Sequence, residues 1–146
     1  MAITLSPIRI IGFQIVTSCY EFKGADERAS TVDTISFDFR ENEPIRQDSG
    51  ADRLEALLAV SALPPSGDAG VASVKVSARG VFEATYNANA GSEEEYRMFM
   101  RMNAFSLLYG FIRSHVQSLT SMTPSGQICL PCIDSNSIVE ELTKEK

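Results

Sequence analysis

Two cysteines three positions apart, Cys129 and Cys132, are the residues best suited to covalent chemistry in this chain, and they stand in the segment Cys-Leu-Pro-Cys. Thioredoxin-like redox sites use this spacing, but they place the first cysteine at a helix N-terminus, where the helix dipole lowers its pKa. Pro131 and the following Ile133 and Asp134 predict an extended loop that ends before the next helix begins. Redox catalysis is therefore an alternative that the sequence disfavours.

A zinc site is the second chemistry to consider, because Cys19 and His115 could complete a set of three thiolates and one imidazole with the cysteine pair. Only one pair has the spacing of zinc ligands, so we expect no metal and no cofactor. The serines have no partner histidine and aspartate at a triad-like spacing, and no glycine-rich phosphate loop is present. The sequence therefore predicts a protein that is not an enzyme.

Length, composition and charge narrow the remaining classes. The chain has 146 residues, of which 44% are hydrophobic, so we expect one domain spanning residues 1–146 with a substantial core. The formal net charge of −6, without a cluster of lysine and arginine, argues against a nucleic-acid partner. Residues 101–132 contain no carboxylate at all. This acid-free segment of an acidic protein suits contact with apolar or basic polypeptide.

The expected location is the cytoplasm. The N-terminal residues lack the basic region and cleavage pattern of a secretory signal. The apolar run in the predicted main helix is much shorter than the ~20 residues that a membrane span needs. Three cysteines cannot form a complete disulfide framework, which favours a reducing compartment.

A long helix over residues 92–120 is the element that the other elements must position. Its start carries a capping box, in which Ser92 and Glu95 satisfy each other's backbone amides, and Pro124 marks a stop after its end. The helix centre is apolar on nearly every side, so one sheet cannot cover it and a second copy of the chain is the simplest cover. The alternative is a helix buried inside one compact domain. The interface residues that we predict are Met102, Phe105, Leu108, Tyr109 and Ile112.

Four strands are predicted before this helix, over residues 7–22, 31–39, 54–63 and 71–86. A polar turn at 23–30, a charged connection at 41–52 and a Pro- and Gly-rich turn at 64–70 separate them. Two runs of similar length flank the last turn, so we predict a hairpin in which residues 54–63 are a strand despite their preference for helix. A second capping box at Ser137 predicts a short helix over residues 137–142. The expected class is α+β: a four-stranded antiparallel sheet, a long helix, a crossover loop and a short C-terminal helix.

This element order, together with three motifs, resembles the SecB family of export chaperones. The motifs are Gly-Val-Phe at 80–82, Leu-Leu-Tyr-Gly-Phe-Ile-Arg at 107–113 and Leu-Pro-Cys-Ile-Asp at 130–134. The chain departs from the family pattern at Tyr109 and Gly110, which replace a Phe-Pro pair, and at Cys132, which replaces a proline. Gln14 and Ser18 stand where export members carry acids that dock the SecA motor.

The resemblance implies a non-catalytic holdase that assembles as a dimer of dimers and keeps unfolded clients in apolar grooves, with a SecA-type partner in doubt. It also implies the residues of the groove, which are Phe37, Phe39, Met122, Ile128, Leu130, Ile133, Ile138 and Leu142. Two alternatives stay open. One is an adaptor or antitoxin-associated chaperone without an export role, and the other is an oligomeric interaction module that binds no client.

Overall fold

The computed structural model describes residues 8–22, 34–63, 72–86, 91–122 and 128–144. Five strands precede two helices, which confirms the predicted α+β class. The elements are β1 Ile8–Phe22, β2 Thr34–Glu41, β3 Ile45–Arg46, β4 Asp52–Leu63, β5 Ala72–Ala84, α1 Glu93–Thr120 and α2 Ser135–Lys144. The predicted turns at 23–30 and 64–70 and the predicted helix stop at 123–126 lie outside the described residues.

The strands form one antiparallel sheet in the order β1-β5-β4-β2, and β3 pairs with β4 beyond the end of β2. The prediction of four strands is therefore wrong by one, because residues 41–52 were expected to be a charged connection. Within that stretch Ile45 pairs with Arg53, and Arg46 pairs with Asp52. A strand of two residues has no hydrophobic period, so the pattern of side chains could not predict it.

The strand β4 forms against the local preference of its residues for helix. It pairs with β5 on one side and with β2 and β3 on the other. Every second side chain is buried under α1, because a central strand turns alternate residues toward the helix layer. These residues are Leu54, Ala56, Leu58, Val60 and Ala62. The packing of this apolar face overrides intrinsic propensity, and the predicted strand is confirmed.

The first strand contains two irregularities in its pairing with β5, between Ile10 and Gly12 and between Ile15 and Thr17. Each bulge reverses which face the following side chains point to. As a result Phe13 and Ser18, five positions apart, both contact α1: the Phe13 ring stacks on Phe111 with 4.2 Å between centroids, and Ser18 Oγ lies 2.8 Å from His115 Nε2.

The long helix α1 begins as predicted. The Ser92 side chain accepts a hydrogen bond from the Glu95 amide at 3.1 Å, and the Glu95 carboxylate accepts one from the Ser92 amide at 3.4 Å. The helix crosses the central strands closely at Gly80, where a Cβ atom would meet the Phe82 ring at 2.7 Å and Leu108 at 3.0 Å. The core lies between this helix and the sheet.

The predicted start of the C-terminal helix is wrong. Helix α2 begins at Ser135, two residues before the expected capping box, so Ser137 lies inside the helix. The amide of Ile138 bonds to the carbonyl of Asp134 at 3.2 Å, which makes Asp134 the residue that precedes the first turn. Aspartate is as good an N-terminal cap as serine.

The face of the sheet that points away from α1 is polar. Glu83 of β5 lies on this face near the end of the strand and is only 8% exposed. Arg9 of β1 donates to one of its carboxylate oxygens at 2.9 Å, and Arg53 of β4 donates to the other at 3.2 Å. These two hydrogen bonds hold the pKa of Glu83 below its ordinary value. Within the described ranges, no helix is long and apolar enough to cross a bilayer.

Candidate functional site: an apolar groove between the edge strand and the second helix

An open apolar groove of about 450 Å³ lies between β2 and α2. Five of the eight predicted groove residues line it together: Phe37, Phe39, Ile133, Ile138 and Leu142. The remaining lining residues are Ile35, Phe105, Ser137 and Glu141. Ile35 continues the alternation of Phe37 and Phe39 along β2, and Ser137 and Glu141 lie on the same side of α2 as Ile138. These two periodicities could have added the missed residues to the prediction.

The floor of the groove is an aromatic cluster. Phe105 of α1 lies at its centre, with ring centroids 5.7 Å from Phe37 and 5.4 Å from Phe39. Phe37 also contacts the edge of Tyr109 at 5.7 Å. Phe39 is buried, whereas Phe37 is 41% exposed. Phe37 is therefore the ring that presents free aromatic surface to a ligand.

One wall of the groove is an edge strand. Among the described residues, β2 pairs only with β4, so the hydrogen-bonding groups along its other side have no partner strand. Such an edge is a template for an added strand. Because the side chains of β2 line the groove, a peptide pairing with this edge would place alternate side chains beside the aromatic cluster.

The opposite wall consists of α2 and the segment before it, residues 128–134, which we call the strap. Two side chains of α1, one helical turn apart, hold the strap through its backbone. Arg113 donates from Nε to the carbonyl of Leu130 at 3.0 Å, and the Tyr109 hydroxyl donates to the carbonyl of Pro131 at 2.6 Å. Burial raises the pKa of the Tyr109 hydroxyl, with smaller opposing effects of Arg113 and Cys132, so this donor stays protonated at neutral pH.

Two further contacts fasten the ends of this wall. The buried hydroxyl of Thr120 accepts a hydrogen bond from the amide of Ile128 at 2.8 Å. At the other end, Arg101 donates to the carbonyl of Leu142 in the last turns of α2, at 3.3 Å, and also forms an ion pair with Glu41 of β2. All of these contacts to the wall use its backbone, which leaves the side chains of the wall available to line the groove.

Three predicted groove residues lie elsewhere. Ile128 and Leu130 are 1% and 2% exposed, so they anchor the strap in the core. Met122 follows the last turn of α1 and is 94% exposed. Ile128 and Leu130 are buried because they alternate with exposed neighbours in an extended segment that lies on the core, where every second side chain points inward.

The predicted interface residues of α1 are covered by their own chain. Phe105, Leu108, Tyr109 and Ile112 are buried, and Met102 is half-buried. Most of the large apolar side chains that are exposed among the described residues lie instead at the β1 edge of the sheet, on the opposite side from the groove. This surface, which we call the β1–α1 patch, comprises Ile10, Ile11, Phe13, Val16, Leu107 and Phe111.

The residues considered for covalent or metal chemistry do not form a site. The three cysteines are free and exposed. Across the described ranges, no group of three side chains could hold a metal ion. Ser18 contacts His115, but no described carboxylate forms an ion pair or hydrogen bond with this histidine, so the pair lacks the third member of a hydrolytic triad.

No protein-family model matches the sequence, and no curated protein matches it either. Solved structures do match the fold. One is the Mycobacterium tuberculosis Rv1957 SecB-like chaperone in complex with a ChAD peptide from the Rv1956 HigA1 antitoxin. It is 14% identical, the match covers 88% of each chain, and the TM-score is 0.56. Another is a protein of unknown function from Streptococcus agalactiae, 9% identical over 86% of this chain and 97% of that one, with a TM-score of 0.57. The fold of this chain is therefore SecB-like.

Proposed function

We propose that this protein is an ATP-independent holdase that binds extended, non-native polypeptide in the groove between β2 and α2. The observation that carries this proposal is the combination of an edge strand with an exposed aromatic ring, Phe37, along one apolar groove. The SecB-like fold supports it, because the Rv1957 chaperone of the same fold was solved with a bound peptide.

Two physical terms would hold the client. A client strand added to the edge of β2 satisfies the hydrogen bonds of backbone groups on both partners, whatever the amino-acid sequence of the client. Apolar client side chains that enter the groove gain about 25 cal/mol for each Å² removed from water. Since a groove that is already formed has little ordering to lose, several weak contacts along one client suffice for retention.

The charge around the groove favours clients that carry lysine or arginine between apolar residues. Glu141 lines the groove and its carboxylate lies 3.0 Å from Lys144 Nζ. Both side chains are largely exposed, so this ion pair is weak and a client cation can compete for the carboxylate. Glu140 and Asp134 add further negative charge on and before α2.

We further propose that a second copy of the chain covers the β1–α1 patch, as the first step toward a dimer of dimers. The patch lies at the opposite sheet edge from the groove, so assembly leaves the client site open. Light scattering of the Phe111→Asp variant tests this. We expect the variant to dissociate to a smaller species. An unchanged mass would contradict the proposal that the β1–α1 patch is a subunit interface.

A narrower role, as an adaptor dedicated to an antitoxin-like client, is the second candidate. The antitoxin peptide bound to the Rv1957 chaperone favours it. Gln14 and Ser18 lie in the region where export members carry acids, so these two positions offer a motor no carboxylate. Pull-downs with a SecA-type motor and with an antitoxin-derived peptide separate the two roles.

The exposed free thiols suit a reducing compartment such as the cytoplasm.

The test of the proposed function is suppression of aggregation. The protein, without nucleotide, is mixed with an unrelated denatured protein that aggregates on dilution. A holdase suppresses light scattering at about one oligomer per client and binds an extended apolar peptide with the same groove. A protein that forms the oligomer but leaves aggregation unchanged and binds no peptide would contradict the proposal and favour an interaction module.

A further inference from the structure

The strap carries two reduced cysteines that the proposed function does not use. Cys129 and Cys132 are exposed, and they flank Leu130 and Pro131, whose carbonyls accept the hydrogen bonds from Arg113 and Tyr109. Ile133, which directly follows the second cysteine, lines the groove. The two thiols therefore bracket the part of the wall that α1 holds in place.

The strap backbone runs from 128 to 134 without a turn or bend. In an extended chain, residues three apart are separated by roughly 10 Å, whereas a disulfide requires Cα atoms within about 7 Å. Joining Cys129 to Cys132 must therefore bend the chain at Leu130 and Pro131. Bending moves the two carbonyls that Arg113 and Tyr109 bind, so the disulfide and the anchored strap are competing states.

We propose that Cys129 and Cys132 form a reversible disulfide that releases the strap and weakens client binding. The inference rests on the proposed function. With a small-molecule disulfide such as oxidised glutathione, one cysteine thiolate attacks a glutathione sulfur and expels the first glutathione thiolate. The second cysteine then attacks the mixed disulfide and expels the other. The protein loses two electrons and two protons, and one oxidised glutathione becomes two reduced molecules.

Both cysteines are exposed, so a small-molecule disulfide can reach either sulfur. Because binding equilibria are reciprocal, a bound client that packs against Ile133 would oppose oxidation by the same factor by which oxidation weakens client binding.

The experiment uses the full-length Cys19→Ser protein, so that only the pair remains, equilibrated with mixtures of reduced and oxidised glutathione. Mass spectrometry measures the disulfide, and fluorescence anisotropy measures binding of a labelled extended peptide of alternating Phe and Lys. The expected result is an intramolecular disulfide that weakens peptide binding at least tenfold, with recovery after reduction. Tyr109→Phe should shift the equilibrium toward the disulfide several-fold, because one competing bond is gone. Cys132→Ser is the matched control and should bind peptide equally under both conditions.

Two results would overturn the inference: oxidation that yields only glutathione adducts or disulfides between chains, and an internal disulfide that leaves peptide binding unchanged. Hydrogen exchange of the strap amides separates failure of this inference from failure of the proposed function. If reduced protein binds no peptide, the function fails. Faster exchange of residues 128–134 on oxidation would still support the release of the strap, and unchanged exchange would contradict it.

Discussion

Phe37 of the edge strand and Phe105 of α1 lie with their ring centroids 5.7 Å apart, although nearly half the surface of Phe37 remains exposed. Phe105 belongs to the core, so this contact fixes one side of the Phe37 ring and leaves the other to the groove. A ring held in this way loses little freedom when a ligand packs on it. The groove floor is thus an extension of the core that meets solvent.

Replacing Phe37 by serine should weaken binding of an extended apolar peptide about tenfold, equivalent to about 1.4 kcal/mol, because its exposed ring surface is lost. Phe111→Ser is the matched control. Phe111 is 39% exposed against 41% for Phe37, and it also packs on another ring, but at the opposite sheet edge. Fluorescence anisotropy with a labelled peptide measures both. Because Phe111 belongs to the proposed subunit interface, light scattering compares the masses of the two variants. Equal losses in variants of equal mass would place the peptide elsewhere.

Replacing Tyr109 by phenylalanine removes the hydrogen bond to the carbonyl of Pro131 and should lower the free energy of unfolding by about 1 kcal/mol. Peptide affinity should fall as well, because the strap positions Ile133 in the groove wall. Tyr86→Phe is the control, since its hydroxyl donates to the carbonyl of Gly91 at 3.2 Å, far from the groove. Denaturant unfolding and peptide titration give the two readouts. If Tyr86→Phe and Tyr109→Phe lose the same affinity for the peptide, a role of the strap in peptide binding is contradicted.

Two glycines should respond to alanine in opposite directions. At Gly80 the added Cβ meets the Phe82 ring at 2.7 Å beneath α1, which should cost about 1–3 kcal/mol of stability. At Gly110, on the exposed side of α1, the added Cβ meets nothing within 4 Å, and the higher helix propensity of alanine should add about 0.5–1 kcal/mol. Chemical unfolding at concentrations low enough to keep the chains separate measures both. Destabilisation by Gly110→Ala would show that this side of α1 is covered within one chain.

The free energy of unfolding should fall at acidic pH because the Glu83 carboxylate becomes protonated. Its hydrogen bonds to Arg9, and then those to Arg53, hold its folded-state pKa below the ordinary value of 4.5. The lowered pKa means that the unfolded chain takes up the proton first as the pH falls. Glu83 therefore stabilises the fold above its ordinary pKa, and this contribution is lost as the pH drops through the lowered value. Unfolding midpoints between about pH 6 and pH 3 should decrease more steeply for the parent than for Glu83→Gln. Identical slopes would contradict this role.

Much of the fold follows from the sequence because turns and alternation are local signals. The Pro- and Gly-rich stretch at 64–70 predicted that residues 54–63 form a strand despite their helix propensity, and they do. The alternation of Phe37 and Phe39 predicted that both lie on one face of β2, and the groove lies on that face. The two bulges of β1 could not be read in this way, because a bulge adds a residue without changing residue types.

The surface for assembly was the least predictable part. A helix that is apolar on nearly every side does not reveal which side its own sheet covers. In the structure, Leu108 and Ile112 face the sheet and are fully buried, whereas Leu107 and Phe111 are exposed. Similarly, an extended strap does not reveal whether Leu130 or its neighbours face the core, since this depends on the hydrogen bonds of Arg113 and Tyr109 across the fold.

Residue-level amide hydrogen exchange of β2, with and without a bound extended peptide, tests the central claim most directly. Residues 34–40 lie at an edge of the sheet, and among the described strands they pair with β4 alone. If the client adds a strand beside Phe37, outward-facing amides of β2 should exchange more slowly in the complex, while those of β1 stay unchanged. Tight peptide binding that protects β1, or that leaves β2 exchange unaltered, would contradict the account.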